Sequence, residues 1–273
     1  MLHTLEDLDG FAIHATDGDI GKVKEFYFDD KQWVIRYLVV ETGSWFASKK
    51  VLLSPISIKH LNREDKTLTV SISREQVKNS PNIDTQQPVS RQHETDYLGY
   101  YGYPFYWGGA GLWGGYSSPY MIAPGYISMT PQPESSIDVA DMFADVDAMR
   151  YRNQDHHLRS TLAVTGYHLE ATDGDLGHLQ GMLIDTDTWA IRYLIINPGN
   201  WWLGHLVLIA PQWIKEVSWV TSKIYVAMTQ QQVKDAPLFD PAIPFNREHE
   251  KGIHLHYGRN GYWEDRAMNL KAR

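Results

Sequence analysis

At 273 residues the chain is long enough for two domains, each with a core of its own, and it carries a formal net charge of -8. Charged residues make up 21% of a globular composition and form no Lys/Arg block, which argues against nucleic acid as the partner, since phosphate neutralisation needs a clustered basic footprint. The absence of cysteine removes disulfides, thiolate metal sites and thiol nucleophiles together.

In chain order, MLHTLEDLDG is acidic and poor in apolar residues, unlike a signal or transit peptide. No stretch approaches about 18 lipid-compatible residues, so the expectation is a cytoplasmic protein without a transmembrane helix. Phe11 to Thr16 is a short strand ending at the Asp17-Gly18-Asp19 turn, where Gly18 supplies a positive φ. Lys22 to Asp29 alternates as a strand and leads through a polar loop to Trp33 to Val40, WVIRYLVV. Both faces of that segment are apolar apart from Arg36, which predicts a central strand covered on both sides. Lys50 to Ser54 is a buried strand closed by Pro55 and continued by Ile56 to Leu61, and a hairpin then leads to Thr67 to Ile72. Ser73 and Gln76 form a capping box for a short helical turn over Glu75 to Asn79, stopped by Pro81.

The same succession returns 156 residues on, without a gap. WAIRYLII (Trp189 to Ile196) repeats the central strand, and Thr229 and Gln232 repeat the capping box before a turn over Gln231 to Asp235. Beyond the helical turn, Arg91, Glu94, Tyr101, Tyr106 and Trp107 recur as Arg247, Glu250, Tyr257, Tyr262 and Trp263. A tail repeated at fixed distance is read as an extended aromatic arm that packs on a barrel. The Gly- and Pro-rich, uncharged stretch Tyr97 to Pro133 excludes a regular helix or long strand, whereas Ile137 to Arg150 has the spacing of a short acidic amphipathic helix. The expected domains are 2–107 and 158–263, separated by a linker, 108–157, and followed by a tail, 264–273.

The order D-G-D-[IL]-G, W-x-I-R-Y-L-[VI]-[VI], G-x-W and V-L-[IL]-x-P resembles the PRC-barrel family over about 80 residues of each copy. That barrel is known from the cytoplasmic domain of the photosynthetic reaction-centre H subunit and the C-terminal domain of a ribosome maturation factor. The resemblance implies a mainly β protein of two small PRC-type barrels in tandem, serving in docking or assembly rather than as a catalytic scaffold. The partner expected is another protein or a second copy of the chain. No cofactor is expected.

Arg36 and Arg192 stand alone on apolar strands and need acidic partners, for which Asp17, Asp29, Asp173 and Asp185 are available. An internal tie is preferred to an anion clamp. The D-G-D turns lack the further oxygen ligands of a calcium loop. His254 and His256 would share one face of an extended strand and offer a two-ligand metal edge, but their first-copy counterparts are Leu98 and Tyr100, so packing is preferred. No nucleophile elbow or phosphate loop is present. Trp45, Trp201 and Trp202, in the loop after the central strand, are candidate partner anchors together with Tyr101, Trp107, Tyr257 and Trp263 of the arms. The aromatic stretch would also suit a membrane interface, against which stand its lack of Lys and Arg and the acidity of the chain.

Overall fold

The computed structural model describes residues 2–81, 89–107, 109–122, 157–199 and 205–264. The first copy forms β1 (Leu2–Thr4), α1 (Leu5–Leu8), β2 (Ala12–Ala15), β3 (Gly18–Asp29), β4 (Val34–Thr42), β5 (Lys50–Leu53), β6 (Ile58–Asn62), β7 (Thr67–Val70), α2 (Arg74–Asn79) and α3 (Arg91–Tyr101). The second forms β8 (Leu158–Ser160), α4 (Thr161–Val164), β9 (His168–Glu170), β10 (Asp175–Asp185), β11 (Ala190–Asn197), β12 (Val207–Ile209), β13 (Ile214–Ser218), β14 (Lys223–Val226), α5 (Gln230–Lys234) and α6 (Arg247–His256).

These elements make two compact units whose boundaries are not those of the repeat. The first unit is Leu8–Leu162 with Asp187–Ala190, and the second is Met1–Asp7 with Ala163–Thr186 and Ile191–Arg273. In the first unit the strand order is β6-β7-β2-β3-β4, with β5 on β4 and β8 on β3. In the second it is β13-β14-β9-β10-β11, with β12 on β11 and β1 on β10. The leading strand of each copy therefore sits in the unit built mainly from the other. The cause is a mismatch of lengths: β3 has 12 residues and β2 only 4, so the last turn of the β3 edge lies open. Leu158–Ser160 pairs with Tyr27, Phe28 and Asp29 there, and Leu2–Thr4 does the same along Leu183 to Asp185 of β10. Backbone groups at an otherwise buried edge are thereby satisfied.

The sequence-based expectations need two corrections here. Ile56 to Leu61 does not continue the β5 strand: Pro55 starts a one-turn 3-10 helix, Pro55–Ser57, capped by the Ser54 side chain, and β6 begins after it. Proline has no N–H to extend a ladder. Among the described residues β5 and β6 do not pair, so the sheet of the first unit is not closed. The extended arms are, second, helices. Ser90 caps α3 and Gly102 ends it at φ 67°, so the helix includes Tyr97 to Tyr101; Asn246 caps α6 through a capping box with His249.

Strand β4 is buried at every residue but Glu41, as its two apolar faces predict. The short helices α2 and α5 carry the capping boxes read from Ser73/Gln76 and Thr229/Gln232. The final glycine of each D-G-D-[IL]-G motif has a role of its own: a Cβ on Gly21 would stand 1.9 Å from the Glu41 carbonyl oxygen, and one on Gly177 2.2 Å from that of Asn197. Only glycine permits so close an approach of the paired strands. Among the described residues no helix is long and apolar enough to cross a membrane.

Candidate functional site

In the first unit, α3 is held to the sheet by a buried polar network. Glu94 lies on the inner face of α3 and is wholly excluded from solvent. Its Oε1 accepts from the Tyr37 hydroxyl of β4 at 3.1 Å and from Tyr106 at 2.5 Å. Its Oε2 accepts from Arg91 Nη1 at 3.2 Å and lies 2.8 Å from Nε2 of His157. Since the Tyr106 hydroxyl donates to Glu94, the 2.9 Å contact between that hydroxyl and His157 makes the histidine Nε2–H the donor. Burial, followed by the Glu94 charge, holds the Tyr37 and Tyr106 phenols well above their ordinary pKa.

Beside this network Arg36 projects from β4. Its guanidinium donates to the Leu112 carbonyl at 2.6 Å, to Gln32 Oε1 at 2.6 Å and to Asp29 Oδ2 at 3.3 Å, and lies 3.8 Å from the Tyr106 ring centre. Burial lowers its pKa, opposed by Tyr106 and Asp29. The residues beyond the arm belong to this unit too: Trp113 is buried and its indole N–H donates to the Thr188 carbonyl, while Trp189, also buried, donates to the Tyr120 hydroxyl.

The second unit repeats the plan. Glu250 accepts from Tyr193 at 3.1 Å, pairs with Arg247 at 3.1 Å and is bonded by Tyr262. Arg192 pairs with Asp185 at 3.3 Å under the Tyr262 ring, 3.9 Å away. The difference lies at His254, which bonds Tyr193 through Nε2 at 3.0 Å and the Asn260 carbonyl through Nδ1 at 2.8 Å. Burial pushes its pKa down against those backbone carbonyls.

Of the acidic candidates, Asp29 and Asp185 meet the arginines, but Asp17 and Asp173 do not. Their Oδ1 atoms accept the first backbone N–H of the following helix, Arg74 N at 2.6 Å and Gln230 N at 2.7 Å. A carboxylate at a helix start offsets unpaired donors and the helix dipole, a use closer in space than the central strand. The extended-strand premise for His254 and His256 is also corrected. Two residues apart on α6 they point roughly 200° apart, and His256 instead contacts the Gln232 carbonyl at 2.7 Å. Among the described residues no group of three or more His, Asp or Glu side chains is placed to hold a metal ion.

The described aromatic candidates all contact their own unit. Trp45 is half-buried, donates its indole N–H to the Ile20 carbonyl at 2.7 Å and carries Arg74 4.4 Å from its ring. Tyr101 packs against Tyr97 and Tyr103, and burial raises its pKa to about 12. Trp107 lies 4.0 Å under Arg91, Trp263 4.3 Å under Arg247, and Tyr257 against Trp213 at 4.9 Å. Trp201, Trp202 and the acidic segment 137–150 lie outside the described residues.

The central residues missed in sequence are Glu94, Glu250, Tyr37, Tyr193, Gln32 and His157. A signal existed for the glutamates: each recurs with an arginine three residues earlier, the pattern of an inward-facing i,i+3 pair on a helix. His157 had none, because its counterpart at the repeat interval is Met1.

The first unit is thus a mainly β domain whose central strand is locked to a following helix by this network. Residues 3–77 match the PRC-barrel domain family, and the first copy carries that domain. PRC-barrel domains commonly serve as protein-interaction modules. No curated protein matches the chain.

Proposed function

We propose that this chain is a non-catalytic tandem PRC-barrel protein, its second copy a PRC-type unit like the first, that docks a protein partner or a second copy of itself. The observation that carries the reading is the duplicated Arg–Glu–Tyr network. In both copies the groups that acid-base chemistry would use are engaged in fixing an arm helix to a sheet. That leaves recognition to the surface, where the loop after β4 and the segment after α3 present the half-buried Trp45 and Trp107. No cofactor enters this reading, and the cytoplasm is its setting.

The test is quantitative affinity capture with the full chain, paired with sedimentation velocity for self-association. A stoichiometric partner or a defined oligomer, weakened by Trp45→Ala with the fold retained, supports the reading. A monomer that retains no protein overturns it.

A membrane-surface role is the second reading. It draws on Phe105, Tyr120 and Met121, exposed apolar side chains in the uncharged stretch after Asp96. Co-sedimentation with neutral and anionic vesicles at physiological salt decides it, and absence of binding to both removes it.

A further inference from the structure

Asn260 and Gly261, just past the end of α6, form the only Asn-Gly pair in the chain. Asn260 is exposed and lies outside helix and strand. Its main-chain carbonyl is held, accepting from His254 Nδ1 at 2.8 Å and from Gln212 Nε2 at 3.4 Å. Its side-chain amide is not held: among the described residues neither that amide nor the Gly261 N–H takes part in a hydrogen bond.

The glycine has a packing reason. A Cβ there would stand 2.2 Å from the Trp263 ring, which lies 4.8 Å from His254 and 4.3 Å from the Arg247 guanidinium. In the first copy the corresponding pair is Pro104-Phe105, and Phe105 stacks on Trp107 at 4.8 Å. Glycine at 261 gives Trp263 the room it takes beside His254. The same missing Cβ leaves the Gly261 nitrogen uncrowded on the side of the Asn260 side chain.

We infer that Asn260 is a site of spontaneous deamidation. The Gly261 main-chain nitrogen attacks the Asn260 side-chain carbonyl carbon, its proton leaves with the amide as ammonia, and a cyclic succinimide remains. Water then opens the ring at either carbonyl and gives aspartate or isoaspartate, so no oxidant or cofactor is consumed. In the isoaspartyl product the chain runs on through the former side chain, one carbon longer, and the old main-chain carbonyl becomes a free carboxylate. That carbonyl is the acceptor for His254 and Gln212, while Gly261 lies against the Trp263 ring. The lengthened backbone cannot keep both places, so the change loosens the end of α6, which His254 ties to Tyr193 of β11. Pro104 carries no side-chain amide, so the first copy lacks the site. The inference is independent of what the chain docks.

The experiment incubates the full chain at physiological temperature and slightly alkaline pH, and in parallel in denaturant, with peptide mass spectrometry following each asparagine. Conversion at Asn260 is expected to run in the folded chain within about tenfold of its rate in denaturant, because a loop outside helix and strand opens at little cost. The isoaspartyl fraction, purified by chromatography, is expected to melt at a lower temperature and to exchange amide hydrogens faster over Arg247–His256. Freshly prepared Asn260→Asp supplies the charge without the added carbon and should melt like the parent. Asn260→Gln removes the reacting group and should abolish both the conversion and the loss of stability on ageing. Asn260 left unconverted in the folded chain while it reacts in denaturant would overturn the inference. So would an isoaspartyl fraction whose melting and exchange equal those of the parent.

Discussion

Nε2 of His157 lies 2.8 Å from the Glu94 carboxylate, and both side chains are fully buried. His157 directly precedes β8, while Glu94 belongs to the helical arm of the first copy. One buried polar contact thus joins the incoming strand to the arm inside a single unit. Neutralising the buried carboxylate also leaves the Arg91 guanidinium without its charged partner. Glu94→Gln, which also turns an amide towards the Arg91 and His157 donors, is expected to cost about 3 kcal/mol, read from denaturant melts. Exchange should rise across both Arg91–Tyr101 and Leu158–Ser160. A loss confined to one of these segments would contradict the coupling.

Trp189 predicts a displaced effect. By sequence it belongs to the second copy, yet it is buried in the first unit, where its carbonyl accepts from Ile35 N at 2.8 Å. Trp189→Ala is expected to cost about 3 to 5 kcal/mol. Hydrogen exchange should increase first in β4, not in β9 or β14.

Gly21→Ala tests the close strand approach. With the Glu41 carbonyl oxygen 1.9 Å from the new Cβ, backbone must shift, since no flexible side chain is there to give way. A strong loss in thermal stability is expected. Gly99→Ala, where a Cβ meets nothing within 4 Å in the last turn of α3, should be neutral or slightly stabilising in the same melts.

His254 sets a pH dependence. Burial lowers its folded-state pKa below the ordinary 6.5, so the unfolded chain binds the proton more readily. Its share of stability is complete above about pH 6.5 and declines as pH falls from there through the folded-state pKa. The bonding opposes the shift, since a protonated ring donates from both nitrogens, to Tyr193 and the Asn260 carbonyl, but burial beside Trp213 and Trp263 outweighs it. His254→Leu, the residue type at Leu98 in the first copy, is expected to flatten the stability profile between pH 5 and 7.

The exchanged strands predict that the fragment 2–107, one copy by sequence, does not fold cooperatively. It lacks His157, β8, Trp113 and Trp189, all of them inside the first unit. Circular dichroism and a denaturant melt of the fragment check this, and a sharp two-state transition would refute it.

Much was settled by the residues alone. Alternation and burial of the central strands, the capping boxes at Ser73 and Thr229, and the likeness to the PRC-barrel family all follow from local pattern, because period-two alternation and cap chemistry act between near neighbours. Local pattern also contained the caps Ser90 and Asn246 and the stop at Gly102, although tyrosine and glycine in the arms masked a helix. Tertiary structure alone decided the rest. Which edge a three-residue strand completes depends on which edge is left open, and that is a property of the folded sheet. Which carboxylate meets Arg36 depends on distance: Asp29, on the neighbouring strand, reaches it, while Asp17 is held by a helix start. Glu94 and His157 stand far apart in the chain, and only burial in one unit brings them together.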